Sequence, residues 1–346
     1  MLRSRLRSFL ASPVRLGFAI SLVLLVVFLV SETALNRWSA IAADARGDPL
    51  ARTNEGPLRD FRIAIVHILL AGYLPAAFLA VLRGGRRTVR ELQGALDCSA
   101  EECDRLAASI RFAPSGLALA AAVGLASALT GPYIVPPVPE SPWNPAAWSP
   151  EVFWHRTLGP IVSIGLALLV YAVVAVSRRM SGLAAELGSI DLFDLAPLAP
   201  FTRQGLRNAL LAIGFVAIAG LMALTETGFG LLGASMGAVI FVAAGLAMLL
   251  PLRGVHGRIV REKREEIATI DTRLSALRTR LRRPVAETGK AGEFADLAAY
   301  RELVGAVPEW PIGRSSFVRL TLYLLIPVVS WSLAALVEDL VGRFLL

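Results

Sequence analysis

The chain alternates long apolar runs with short segments rich in arginine. Seven of these runs are each near the ~20 residues that a helix needs to cross a bilayer. They lie at residues 16–35, 61–82, 112–135, 157–177, 208–227, 229–252 and 318–337. The hydrophobic fraction of 55% and the mean hydropathy of +0.61 exclude an ordinary soluble domain. The pattern therefore predicts an all-α, polytopic helical membrane protein with seven transmembrane helices.

Basic residues are unevenly distributed among the segments between these runs. With a cytoplasmic amino terminus, the inner segments 3–15, 83–111, 178–207 and 253–319 hold 28 Lys or Arg, against 7 in the rest of the chain. Cytoplasmic segments of membrane proteins carry such an excess. The distribution predicts that the amino terminus is cytoplasmic and the carboxyl terminus outside. It also attributes the net charge of +8 to topology and contact with anionic lipid, and not to nucleic-acid binding.

The first apolar run follows a basic segment, residues 3–15, as it would in a signal peptide. A small-residue cleavage pattern, residues 40–42, does occur. It lies about a dozen residues beyond the apolar run, farther than cleavage sites usually lie. We therefore expect an uncleaved signal anchor as the first span.

The sixth run continues without a helix stop into a charged, amphipathic segment. Five apolar residues recur there at alternating spacings of three and four, which is the pattern of a helix that packs lengthwise against another, as in a coiled coil. We call them the seam: Ile267, Ile270, Leu274, Leu277 and Leu281. The seam covers only two heptads. Its partner is either a second subunit, which would make a homo-oligomer, or another helix of the same chain.

Pro284 and Gly289 interrupt the helix after the seam, and a shorter return helix follows them. The chain is thus predicted to contain a membrane domain (1–252), a cytoplasmic helical hairpin (253–317) and a last part (318–346) with the seventh span and the outer carboxyl terminus.

Acidic residues occur at one predicted depth near the outer boundary of the hydrocarbon layer. Glu32, Glu226 and Glu338 each lie 17 to 19 residues after an inner arginine, and Asp339 is next to the last of them. At about 1.5 Å per residue, the three helices carry these carboxylates to a similar height. They form either an outer vestibule that attracts and binds cations or merely the polar ends of three helices.

His67 lies about five residues inside the outer end of its predicted span. An ionisable side chain within the apolar zone is a candidate ligand-binding or ion-binding residue, and Glu32 is its candidate partner. The alternative is a neutral histidine that forms a structural hydrogen bond with a neighbouring helix.

Cys98 and Cys103 are the only cysteines. Their spacing, the lack of a nearby histidine and the predicted cytoplasmic location argue against a disulfide and against a zinc site. Ser99 and Glu102 between them predict a capping box at the start of a short helix that ends near Ile110.

Motifs of metalloproteases, serine hydrolases and nucleotide-binding proteins are missing from the sequence, and its three histidines are far apart. We therefore expect no enzymatic activity, no catalytic residue, no cofactor and no bound metal.

Three segments of the last third resemble uncharacterised multispanning bacterial membrane proteins: Pro251–His256, Pro308–Pro311 and Leu322–Trp331. The resemblance supports the membrane assignment and implies no particular activity. We expect the chain in the bacterial inner membrane. Two functions are compatible with these observations. One is a scaffold or sensor whose cytoplasmic hairpin mediates self-association or binds a partner, and the other is a cation channel or transporter with an outer acidic vestibule.

Overall fold

A computed structural model describes residues 12–35, 37–38, 57–134, 142–145, 148, 150–223, 242–281 and 290–344. Throughout these ranges the secondary structure is helical, without a strand. Six helices are long and apolar enough to cross a membrane: Pro13–Ala34, Phe61–Glu91, Ala100–Tyr133, Val152–Leu183, Ala196–Met222 and Arg314–Leu333. The prediction of an all-α chain is thus confirmed for the described residues, and several of its helices have the length and composition to cross a membrane. Most of the sixth predicted span, 229–252, lies outside the described residues.

Nine helices are numbered here in chain order. They are α1 (Pro13–Ala34), α2 (Pro57–Glu91), α3 (Ala100–Ser109), α4 (Pro114–Ile134), α5 (Pro150–Leu183), α6 (Ala199–Ala219), α7 (Arg253–Leu281), α8 (Lys290–Ala306) and α9 (Arg314–Phe344). Short 3₁₀ turns, Ala196–Leu198 and Gly220–Ala223, extend α6 at its two ends. Residues 242–249 are also helical, and the 3₁₀ turn Leu250–Leu252 joins them to α7. The backbone is therefore helical without interruption from residue 242 to residue 281, as the sequence predicts.

Small residues bring several of these helices close together. A Cβ atom added to Gly17 of α1 would lie 2.8 Å from the carbonyl oxygen of Gly72 of α2. A Cβ atom on Gly124 of α4 would lie 2.6 Å from the backbone of α5 at Ser163 and Ile164. Real Cβ atoms do not approach so closely, so a side chain at either glycine would push the helices apart. Glycine is used here for the close helix packing that is typical of membrane proteins.

The directions of the helices place the basic segments together at one end of the bundle. Helices α2 and α5 run parallel, because Leu74 is next to Gly165 and Gly85 is next to Val176. Helix α6 runs antiparallel to α2. Tyr73 in the middle of α2 donates a hydrogen bond to the carbonyl of Leu211, whereas Glu91 at the end of α2 accepts one from Arg203 near the start of α6. The carboxyl ends of α2 and α5 and the amino end of α6 thus meet at what we call the basic end.

The largest apolar cluster packs α2 and α5 together and extends to α3 and to the beginnings of α6 and α7 near the basic end. Its fully buried members include Leu74 of α2, Leu92 directly after α2, Met180 and Leu183 of α5, Phe201 of α6 and Ile259 of α7. Within the spans such contacts stabilise the bundle through van der Waals packing, since lipid tails are as apolar as these side chains. The start of α7 therefore belongs to the core of the bundle, whereas the rest of the helix extends beyond it.

The capping box at the start of α3 is confirmed, but the prediction of unpaired cysteines is wrong. Ser99 accepts a hydrogen bond from the Glu102 backbone N–H, and Glu102 accepts one from the Ser99 backbone N–H. The extended Ser99 places Cys98 beside the first turn of α3, so that its sulfur is bonded to that of Cys103. The Cα atoms are 6.0 Å apart, which lies within the range that a disulfide spans.

Candidate functional site

The predicted outer acids are only partly described by the structure. Glu32 lies near the carboxyl end of α1 and is 0% exposed. Glu226 lies outside the described residues. Glu338 and Asp339 belong to the last part of α9, where the structure describes the backbone and not these side chains. Glu32 is therefore the one predicted vestibule acid with a described side chain, and its buried position differs from that of a solvated helix end.

His67 of α2 is 6% exposed and packs against a second histidine, His155 of α5. The ring centroids are 4.6 Å apart, and the rings meet edge to face. His67 Nδ1 donates a hydrogen bond to the Ile63 carbonyl oxygen at 2.8 Å, so this nitrogen carries the proton. The contact of Ser21 with Ile68 puts His67 near residue 22 of α1. Glu32 is ten residues farther along that helix, or about 15 Å at the helical rise.

Four neutral polar side chains form a buried, hydrogen-bonded chain among α2, α5 and α6. They are Thr88, Gln204, Asn208 and Ser177, and each is 0% exposed. Thr88 Oγ1 donates to Gln204 Oε1 at 3.2 Å. Gln204 Nε2 donates to Asn208 Oδ1 at 2.9 Å, and Asn208 Nδ2 donates to Ser177 Oγ at 3.2 Å. Since an unpaired buried polar group costs about 1–3 kcal/mol, this buried polar chain favours one relative placement of the three helices.

The buried polar chain was not predicted from the sequence, because the predicted second span ended before α2 does and the predicted fifth span began after α6 does. Thr88 lay in a predicted inner segment, but α2 continues to Glu91. Gln204 preceded the predicted span 208–227, but α6 begins at Ala199. The available signal was the spacing of Gln204 and Asn208, which are four residues apart and so lie on one face of a helix.

All five seam residues lie on the covered side of α7. Ile270 and Leu277 are buried, with 2% and 6% exposure, and the other three are half-buried. This burial occurs within a single chain. Helices α7 and α8 pack against each other, and Arg301 of α8 forms a bidentate ion pair with Asp271 of α7 at 2.5 and 3.2 Å. The neighbouring helix α8 is therefore a partner of α7, which was one of the two alternatives left open by the sequence.

The base of α7 is held by the segment that joins α8 to α9. The ring of His256 stacks on that of Trp310 with 4.2 Å between centroids, and His256 Nδ1 donates to the Glu309 carbonyl oxygen at 3.0 Å. Lys263 Nζ donates to the Val307 carbonyl oxygen at 2.9 Å. Two of the three segments that carry the family resemblance thus contact each other directly.

A cavity of about 190 Å³ lies where the segment after α5 meets α7 and α8. Its lining is acidic and aromatic: Ile190, Asp191, Leu192, Phe193, Glu262, Glu266 and Tyr300. The Tyr300 hydroxyl donates to Glu266 Oε1 at 3.1 Å, and the rings of Phe193 and Tyr300 are 6.0 Å apart. The pKa of Tyr300 is raised, mainly by burial and to a smaller extent by this hydrogen bond to a carboxylate. The hydroxyl therefore stays protonated at neutral pH and acts here as a donor.

Candidate metal-binding groups of three or more His, Cys, Asp or Glu residues are not found among the described residues. No family model, curated protein or solved structure in the comparisons matches the chain. Any functional conclusion therefore depends on the geometry of this chain itself.

Proposed function

We propose that the chain is a non-enzymatic scaffold or sensor of the bacterial inner membrane, in which α7 and α8 form a cytoplasmic hairpin that binds a partner or a second copy. The observation that carries this proposal is an apolar patch on the surface of the α7–α8 unit. Phe193, Tyr300 and Leu303 are 55%, 36% and 59% exposed. Tyr300 and Leu303 are three residues apart on one face of α8, and Phe193 adjoins Tyr300. Exposed apolar patches outside the spans are typical of interaction sites.

The burial of the seam supports the view that this patch, and not the seam, faces the partner. Ile270 and Leu277 are already covered within the chain, so a second subunit that bound them would have to displace α8. The patch needs no such rearrangement. Its surroundings are charged, which is the usual composition of an interface rim around an apolar centre.

The test places a photo-crosslinking amino acid at Leu303 in cells that produce the full chain. We expect an ultraviolet-dependent adduct of discrete mass, either a dimer of the chain or the chain with one partner. The matched control carries the same amino acid at Ala276, an exposed position on α7 away from the patch, and should give no such adduct. In a Leu303→Asp variant the photo-crosslinking amino acid is placed at Tyr300 instead, and the adduct should be absent. The proposal would be refuted by equal amounts of adduct from Leu303 and Ala276, or by the absence of an adduct from Leu303.

We further propose seven spans, with the amino terminus inside and the carboxyl terminus outside. The course of the chain after α6 supports this count. The far end of α6, at Gly220, contacts Trp331, whereas Met248 contacts Gly205 near the start of α6. Ala244 packs in the same cluster as Ala209. Residues 242–249 thus run back along α6 towards the basic end, which is the direction expected for the last part of a sixth span.

The alternative function is a cation channel or transporter with an outer acidic vestibule. The complete burial of Glu32 and the pairing of His67 with His155 favour it, because buried ionisable groups in spans often mark ion pathways. Its test is cation flux into vesicles that contain the purified chain. Glu226→Gln or Glu338→Gln should reduce the flux without changing the amount of folded protein. Flux no greater than in empty vesicles would exclude this alternative.

A further inference from the structure

Three arginines surround one carboxylate where α2 meets α6 at the basic end. Arg87 Nε donates to Glu91 Oε1 at 2.7 Å, and Arg203 Nη2 donates to Glu91 Oε2 at 3.0 Å. Arg207 follows Arg203 by one helical turn and is close enough for its charge to act on Glu91. A Cβ atom on Gly84 of α2 would lie 3.7 Å from Arg207 Cδ, which shows how closely the two helices approach. We call Arg87, Arg203, Arg207 and Glu91 the arginine cluster.

The arginine cluster has more positive charge and more hydrogen-bond donors than its own carboxylate satisfies. A guanidinium group has five N–H donors, and a carboxylate accepts about four hydrogen bonds. Arg207 Nη1 is buried and has no hydrogen-bond partner among the described residues. The side chains of Arg87 and Arg203 are 72% and 45% exposed. Arg87 and Arg203 therefore present N–H donors and a net positive charge to the surroundings, while Arg207 holds a further unpaired donor below the surface.

We propose that the arginine cluster binds the phosphate of an anionic phospholipid headgroup. The planar fork of a guanidinium group matches phosphate oxygens in pairs, and several arginines on two helices supply such forks from two sides. The position fits a headgroup as well. The uninterrupted apolar run of α2 ends at Leu82, and Arg87 lies less than two helical turns beyond it. The cluster thus begins where the apolar part of α2 ends, at the depth of lipid phosphates.

Neighbouring residues hold the arginine cluster in place whether or not a lipid is bound. Thr88, next to Arg87, and Gln204, next to Arg203, hydrogen-bond to each other at 3.2 Å in the buried polar chain. The backbone positions of Arg87 and Arg203 are therefore fixed relative to each other, and both guanidinium groups are oriented by their hydrogen bonds to Glu91. Such preorganisation reduces the entropy that ordering the side chains on binding would cost.

The experiment measures the thermal stability of the detergent-solubilised full chain with increasing short-chain phosphatidylglycerol. We expect saturable stabilisation by phosphatidylglycerol and none by phosphatidylcholine of the same chain length. Arg203→Gln and Arg207→Gln should each weaken the apparent affinity roughly fivefold, the ratio that corresponds to about 1 kcal/mol per basic residue at an anionic surface. Arg179→Gln is the matched control, since Arg179 is an exposed arginine at the same end and should leave the affinity unchanged.

A second variant keeps the proposal testable if an arginine variant fails to fold. Glu91→Gln removes the carboxylate that competes with the lipid and should tighten phosphatidylglycerol binding. Equal stabilisation by phosphatidylcholine, or full affinity in both arginine variants, would overturn the proposal. Stabilisation by inorganic phosphate alone, lost in the same two variants, would also overturn it, because the ligand would then be a soluble anion and not a lipid.

Discussion

Placing a charge at the centre of the seam should separate α8 from α7 while the spanning bundle stays folded. Leu277 is the residue to change, because it is 6% exposed and lies in the part of α7 that extends beyond the bundle. In Leu277→Asp the helix loses a buried leucine, which is worth about 1.5–3 kcal/mol. It must also bury a carboxylate without a partner or expose it by opening the contact.

The two terms together exceed what the nearby ion pair supplies. The pair of Arg301 with Asp271 is largely exposed, at 46% and 48%, and exposed pairs contribute about 0–1 kcal/mol. Ile270 of α7 and Val304 of α8, which are both well buried, lie nearer the base of α7 and should stay covered. We therefore expect only the far ends of α7 and α8 to open.

Limited digestion with a protease that cleaves after arginine measures this opening. Leu277→Asp should accelerate cleavage at Arg278 and Arg280 by tenfold or more, since about 1.4 kcal/mol already corresponds to a factor of ten. Ala276→Asp introduces the same charge at an exposed neighbouring position and should be cut like the parent chain. Equal cleavage of the two variants would show that the seam does not hold α8, and the reasoning would be wrong.

Three further predictions concern topology, pH and the buried polar chain. Reporter fusions at Arg283 and Leu346 should lie on opposite sides of the membrane, and the same side for both would refute the seven-span topology. The hydrogen bond from Arg301 lowers the pKa of Asp271. The ion pair should therefore stabilise the α7–α8 contact fully at any pH above the usual aspartate pKa of about 4. This stabilisation should be lost as the pH falls through the lower pKa that Asp271 has in the folded protein. Spin-label distances between the helices should report this loss, and Asp271→Asn should remove the pH dependence. Asn208→Ala leaves its two buried partners unpaired and should lower the free energy of unfolding by about 1–3 kcal/mol, measured as a lower Tm. An unchanged Tm would contradict a structural role of the buried polar chain.

Features that depend on neighbouring residues were predictable from the sequence. The capping box of α3 needs only Ser99 and Glu102, three residues apart. The covered side of α7 follows from the spacing of its apolar residues, and the two most buried of them, Ile270 and Leu277, are one heptad apart. In both cases helix geometry alone relates the spacing to the structure.

Features that depend on the choice of neighbouring helices could not be predicted in this way. His67 and His155 are 88 residues apart in sequence, and Thr88 and Gln204 are 116 residues apart. Apolar periodicity shows which side of a helix is covered but not which helix covers it. The disulfide was missed for a different reason: the extended conformation of Ser99 at the start of α3 places Cys98 beside Cys103, and the number of intervening residues does not show this.

The distribution of polar groups along α2 argues against a cation pathway between α2 and α5. His67 lies towards one end of the helix and Thr88 towards the other, with 21 residues or roughly 30 Å between them. The buried residues between them include Leu70, Leu74 and Val81, which pack in the apolar core with α5. A cation that passed along this interface would lose its hydration without gaining ligands, and the cost of burying an unpaired charge is far above that of burying an amide. Conduction would therefore require the contacts between α2 and α5 to separate, and the close approach of Gly85 to Val176 and Gly165 to Leu74 opposes such separation. The same tight packing is what a scaffold requires, because it gives the α7–α8 unit a fixed base.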